Sequence, residues 1–176
     1  MPDGAQIIRI IAGQPRLVGD AWRVVDSATE WDAQAGTPGA NLLVPLALAR
    51  AQAERVCTQG TNLGIVLAPD DDPADAVPFL PHLALIGVQF PKFTDGRGYS
   101  TAVLLRTRYG WKGEMRALGE VLQDQLFALR RVGFDSFALR ADRDPQAALQ
   151  AFAPFSDTYQ GSVDQPLPAF ARVAAR

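Results

Sequence analysis

Lys92, Asp95, Arg97, Tyr99 and Ser100 stand close together in one stretch, FPKFTDGRGYS, from Phe90 to Ser100. Two cations, an acid and two hydroxyls surround a Gly-Arg-Gly turn. Such a set can hold an oxyanion. If Gly96 and Gly98 open a helix, their free N–H groups and the positive end of the helix favour negative charge. Lys92 adds a point charge and Arg97 a forked donor. The spacing lacks both the Walker pattern GxxxxGK[ST] and the full GxGxxG of dinucleotide sites. A second reading is structural: the glycines permit close backbone approach at a corner, and Arg97 pairs with Asp95. Arg116, inside a strand-like run, is a further candidate anion ligand, or else the partner of Glu114. Asp95 and Glu120 are the candidate acid or base.

The rest of the reactive inventory is short. Cys57 and His82 are each the sole residue of their kind. One thiol excludes an internal disulfide, a CxxC redox pair and a four-thiolate cluster within one chain. A Cys/His zinc site is excluded on the same ground, which leaves a carboxylate-only magnesium site as the one metal site open; no metal and no cofactor are assigned. Cys57, on an Ala-rich helix, reads as a small core residue, and His82 as a loop residue. Arg106, Arg108 and Tyr109 read as a solvated or partner-facing surface. Trp111, after Gly110, is expected to be exposed.

These residues need elements to position them. Apolar runs at Leu42–Leu46, Asn62–Pro69, Ala84–Phe90, Glu114–Gly119 and Phe134–Arg140 read as strands. Helical stretches alternate with them. One ends at Gly60, one starts at the acids and proline of DDDP, one stops at Gly110, and one carries Leu122, Leu126 and Leu129 on a face and stops at Gly133. Asp144-Pro145 is a further N-cap and first helical position. Continuous apolar strands alternating with helices predict an α/β fold of about five βα units around a parallel sheet. The sheet is either an open doubly wound one or a partial (βα) barrel. Residues 1–36 read as an N-terminal β appendage with short strands, 37–155 as the α/β domain, and 156–176 as an irregular tail. Asp32–Asn41 reads as a loop.

In a parallel α/β sheet, ligands sit at the carboxyl ends of the strands. That rule gathers Asp70, Asp71 and Asp72 after one strand, and Lys92, Asp95 and Arg97 after the next. Arg116 and Glu120 follow, then Arg140 and Asp142.

The chain has 176 residues, a net charge of −2 and 48% hydrophobic residues. That is enough for one domain with a core, without the basic surplus of a nucleic-acid binder. No apolar run reaches the length of a membrane span, and the N-terminus does not read as a secretory signal. A cytoplasmic protein is expected. A partial barrel leaves sheet edges, and pairing two copies as a homodimer is one way to cover them.

The stretch FPKFTDGRGYSTAVLLRTRYGWKGEMRALGEVLQDQLFALRRVGFDSFAL, with LLVPLALA and LAPDDDP upstream, resembles a bacterial family described as probable oxidoreductases of sulfite reduction, encoded beside assimilatory sulfite reductase. The resemblance covers roughly residues 42–160. Lys92, Asp95, Gly96, Arg97, Gly98, Tyr99 and Ser100 match its pattern. Met115 and Glu120 stand where the pattern carries Leu and Asp. The resemblance implies a role at the sulfite-to-sulfide step and supplies no catalytic residues. Sulfite reduction runs through sirohaem and an iron–sulfur cluster held by thiolates, and this chain has one thiol. The expectation is therefore an accessory protein that acts with sulfite reductase. The alternative is a small enzyme or module that binds an oxyanion at the strand-end rim around Arg97.

Overall fold

Ala12 and Gly13 carry positive φ angles of 49° and 78°, the geometry of a two-residue type I′ turn. They join β1 (Gln6–Ile11) to β2 (Gln14–Gly19) as an antiparallel hairpin. β3 (Trp22–Val24), β4 (Asn41–Pro45), β5 (Leu63–Leu67), β6 (Leu85–Phe90), β7 (Glu114–Gly119) and β8 (Ser136–Phe137) follow. The protein is seen in a computed structural model that describes residues 5–35, 37, 39–58, 62–152 and 158–174.

All eight strands form one sheet in the order β2-β1-β8-β7-β6-β5-β4-β3. β3 to β8 are parallel, and each new strand adds beside the last. β1 lies antiparallel against β8. The two edges, β2 and β3, are separated in the chain only by Asp20 and Ala21. In a flat sheet seven strand spacings would hold those edges about 34 Å apart. Three Cα steps from Gly19 to Trp22 span at most about 11 Å. The sheet must therefore curl until its edges approach. It is a mostly parallel half-barrel, not a doubly wound open sheet.

Helices fill the connections. α1 (Ala28–Ala35) follows β3; α2 (Leu46–Ala51) and α3 (Ala53–Thr58) follow β4. A 3-10 helix, Pro73–His82, follows β5, with the Asp72 carboxylate accepting from the Ala74 N–H at its start. α4 (Arg97–Val103) follows β6 and runs into a π-helical turn, Leu104–Arg108. A short 3-10 turn, Gln123–Gln125, and α5 (Leu126–Arg131) follow β7. α6 (Pro145–Ala148), started by Asp144 as expected, and α7 (Ala169–Ala174) complete the described chain.

Helices α1 to α6 pack on one face of the sheet. The large core cluster joins helix residues such as Trp31, Ala49, Leu105, Leu126 and Phe152 to every second strand residue, among them Leu42, Ile65, Val88 and Ala117. The concave face is lined from strands alone: Ile7, Leu43, Val66, Leu85 and Leu118, with Ala138 just past β8 and Val18 and Trp22 against them.

Several expectations change. Residues 5–35 are no appendage, because β1, β2 and β3 are members of the main sheet. Asp32 to Ala35 belong to α1, not to a loop. Ser27 Oγ caps the helix by accepting from the Glu30 N–H, and the Glu30 carboxylate reaches back to accept from the Asp26 N–H, one residue before the cap. Cys57 is exposed. Trp111 is buried, its indole N–H donating to the Glu114 carbonyl. Arg106 is no surface residue: its guanidinium donates to the carbonyls of Trp111, Gly113 and Gly133 and to Asp135. The helix stop expected at Gly60 and the chain at 153–157 lie outside the described residues.

Candidate functional site

At the carboxyl end of β6 the chain turns through Lys92–Asp95 into α4. Asp95 accepts from the Arg97 backbone N–H at 3.1 Å and from its guanidinium at 3.0 and 2.6 Å. Arg97 also pairs with Asp70, which follows β5. The guanidinium thus lies between two carboxylates. Hydrogen bonds from the Arg97 side chain, then from its backbone N–H, hold the Asp95 carboxyl down to about 2, from an ordinary 3.8. The hydrogen bond that the guanidinium donates to Asp95 pushes Arg97 up in turn.

The glycines flanking Arg97 differ in role. Gly98 is buried, and a Cβ there would lie 2.5 Å from the Phe90 ring. Its residue type is required by packing of α4 onto β6. Tyr99 meets the same ring edge-to-face at 5.7 Å, and burial pushes its hydroxyl up. Gly96 is the first, uncapped position before α4, with open space where its side chain would be. Lys92 and Ser100 are exposed.

A second clamp stands after β7 and β8. Arg140 donates to Asp142 at 2.6 and 2.8 Å and to Glu120 at 3.2 Å. Hydrogen bonds to Asp142 first, then Glu120, push the arginine up, and Asp142 is held below its ordinary range by Arg140. Glu120 therefore stands as an ion-pair partner. Beyond the two clamps the strand ends carry Asp26, Asp71, Asp72, Asp124 and Asp144, against Lys92 and Arg143. The rim is acidic.

Arg116 does not reach that rim. It lies inside the half-barrel, 2% exposed, and pairs with Glu114 at 2.7 Å and Asp20 at 2.6 Å, both also buried. Its Nε donates to Ser136 Oγ, and Arg9 reaches Glu114 from the other side at 3.1 Å. The register explains the meeting. Gly87, Arg116, Ser136 and Arg9 are neighbours across β6, β7, β8 and β1. Asp20, in the link between the sheet edges, closes over them. The pairing with Glu114 is the other of the two readings open from sequence.

Above this charged layer, a cavity of about 420 Å³ opens at the strand ends. Val66 and Leu118 form its floor, and Val24, Asp26, Asp71 and Gln89 its walls. Sequence reasoning found Asp71 but missed Asp20, Asp26 and Gln89. Gln89 carried a usable signal, as the one polar residue in an otherwise apolar strand. Asp20 carried none, because its partner lies 96 residues away.

Together these features define a mostly parallel α/β half-barrel, with an acidic strand-end rim around an apolar-floored mouth. The chain belongs to the bacterial family of unknown function DUF934, whose model matches residues 64–170, from β5 into α7. That span contains both rim clamps and the FPKFTDGRGYS loop. No curated protein matches the chain.

Proposed function

We propose that this protein is an accessory of assimilatory sulfite reduction, acting in the cytoplasm by contact with sulfite reductase and carrying no redox centre of its own. The association with that step rests on the FPKFTDGRGYS resemblance. One observation favours contact over anion capture: Arg97 already lies between Asp95 and Asp70. An entering sulfite or sulfate would have to displace two carboxylates from the guanidinium and then meet an acidic rim. Such a rim suits a partner surface rich in Lys and Arg, because complementary charge raises the encounter rate and sets orientation. The single thiol of the chain supports a role without an iron–sulfur centre. A second copy pairing along edge strand β2 or β3 is a further proposed contact.

The test is co-purification of the tagged protein with sulfite reductase from sulfate-grown cells. The double variant D71K/D124K should lose most of the retained reductase, and raised salt should weaken retention of the wild type. A protein that elutes alone from cells rich in the reductase would overturn the reading. Calorimetric binding of sulfite, lost on Arg97→Ala, would replace it with the oxyanion alternative.

A further inference from the structure

We infer that the mouth of the half-barrel is a binding site for a small organic cation, an amine on an apolar body. The cavity of about 420 Å³ is within the range of small-molecule sites, and it lies where parallel α/β sheets hold their ligands. Its floor is aliphatic. Val66 and Leu118 present their side chains upward, and Leu118 lies across Gly87, where a Cβ would stand 2.6 Å from its Cδ1. Glycine at 87 thus lets the floor sink and gives the cavity depth. Val24, exposed on the sheet edge, extends the apolar wall.

The polar groups choose the sign of the ligand. Among the described residues, no Lys or Arg lines the cavity. Asp71 is fixed by the Ala68 N–H, which donates to one oxygen at 2.7 Å, and no group among the described residues bonds its second oxygen. The Asp26 N–H is taken by Glu30, but no group among the described residues pairs with the Asp26 carboxylate. The Gln89 amide, exposed in a strand that is otherwise buried, adds a neutral donor and acceptor. An anion would meet two carboxylates without a balancing charge. A metal ion would lack ligands, since no group of three or more His, Cys, Asp or Glu side chains is gathered among the described residues. An ammonium group against Asp26 and Asp71, with its carbon body on Val24, Val66 and Leu118, satisfies both the charge and the floor. This inference does not rest on docking to sulfite reductase.

The experiment is an amide-resolved NMR titration of the full chain with phenethylamine and, separately, 3-phenylpropanoate, which share a body and differ in the sign of the head. Phenethylamine should saturably shift the amides of Asp26, Gln89 and Gly119, and the carboxylate should bind at least about tenfold more weakly, the weight of ~1.4 kcal/mol. Asp26→Asn, at an exposed position that leaves the fold intact, should weaken the amine several-fold. Val24→Lys should abolish the shifts by placing a cation in the mouth. Equal binding of the two probes, unsaturable shifts, or an Asp26→Asn variant with unchanged affinity would each overturn the assignment.

Discussion

Arg116 and Arg97 are built to the same plan in opposite surroundings. Each holds one carboxylate two residues before it, Glu114 or Asp95, and one brought from far along the chain, Asp20 or Asp70. Arg116 is 2% exposed inside the half-barrel; Arg97 is 52% exposed on its rim. The pairing chemistry is the same, so solvent alone separates their consequences. Water screens the rim clamp and solvates its charges when it opens. Inside the barrel a charge that loses its partner has nowhere to go. The interior cluster is therefore a structural tie between the sheet-edge link and the sheet, and the rim clamp is a surface feature that shapes what can approach.

The largest effect that tests this contrast is Arg116→Met. It strands Asp20 in a low-dielectric interior, leaves Glu114 with Arg9 alone, and should cost about 3–5 kcal/mol in denaturant unfolding. Adding Asp20→Asn should recover part of that loss, a coupling that a double-mutant cycle reads directly. A loss below about 1 kcal/mol for the single variant would erase the distinction between the two clusters. Gly98→Ala comes next. Its Cβ must displace the Phe90 ring, an overpacking that costs about 1–3 kcal/mol. A neutral outcome would mean that the glycine of the loop serves something other than the corner. Arg97→Ala should cost least, less than either of the other two, as exposed ion pairs do. It should also return the Asp95 carboxyl from about 2 towards 3.8, seen as a shifted carboxylate midpoint in an acid NMR titration. The sign follows from the depression: Asp95 contributes to folded-state stability above its ordinary 3.8, and that contribution is lost as pH falls through about 2. In the variant that acid-dependent contribution should shrink to what the backbone N–H at position 97 supplies.

Much of the local architecture was legible in the residues. The aliphatic runs marked β5, β6 and β7, Asp-Pro pairs marked the starts at Asp72 and Asp144, and Gly110 and Gly133, with φ of 67° and 108°, stop the segments they were expected to stop. The Ser27 cap of α1, in the SxxE stretch Ser27–Glu30, was present and went unread behind the turn-rich residues that follow it. The site was less legible. Strand-end placement identified the rim, and Arg97 was paired with Asp95 in one of its two readings. Asp70 as a second partner, the burial of Arg116, and the meeting of Asp26, Gln89 and Leu118 around one mouth depend on which strands lie side by side.

By itself the sequence determined the elements and their ends, because hydropathy period, caps and positive-φ glycines act over a few residues. Only the tertiary structure decided which charges are interior. Strand order and curl bring Asp20 to Arg116 across 96 positions, and no local pattern encodes an encounter created by closing a sheet on itself.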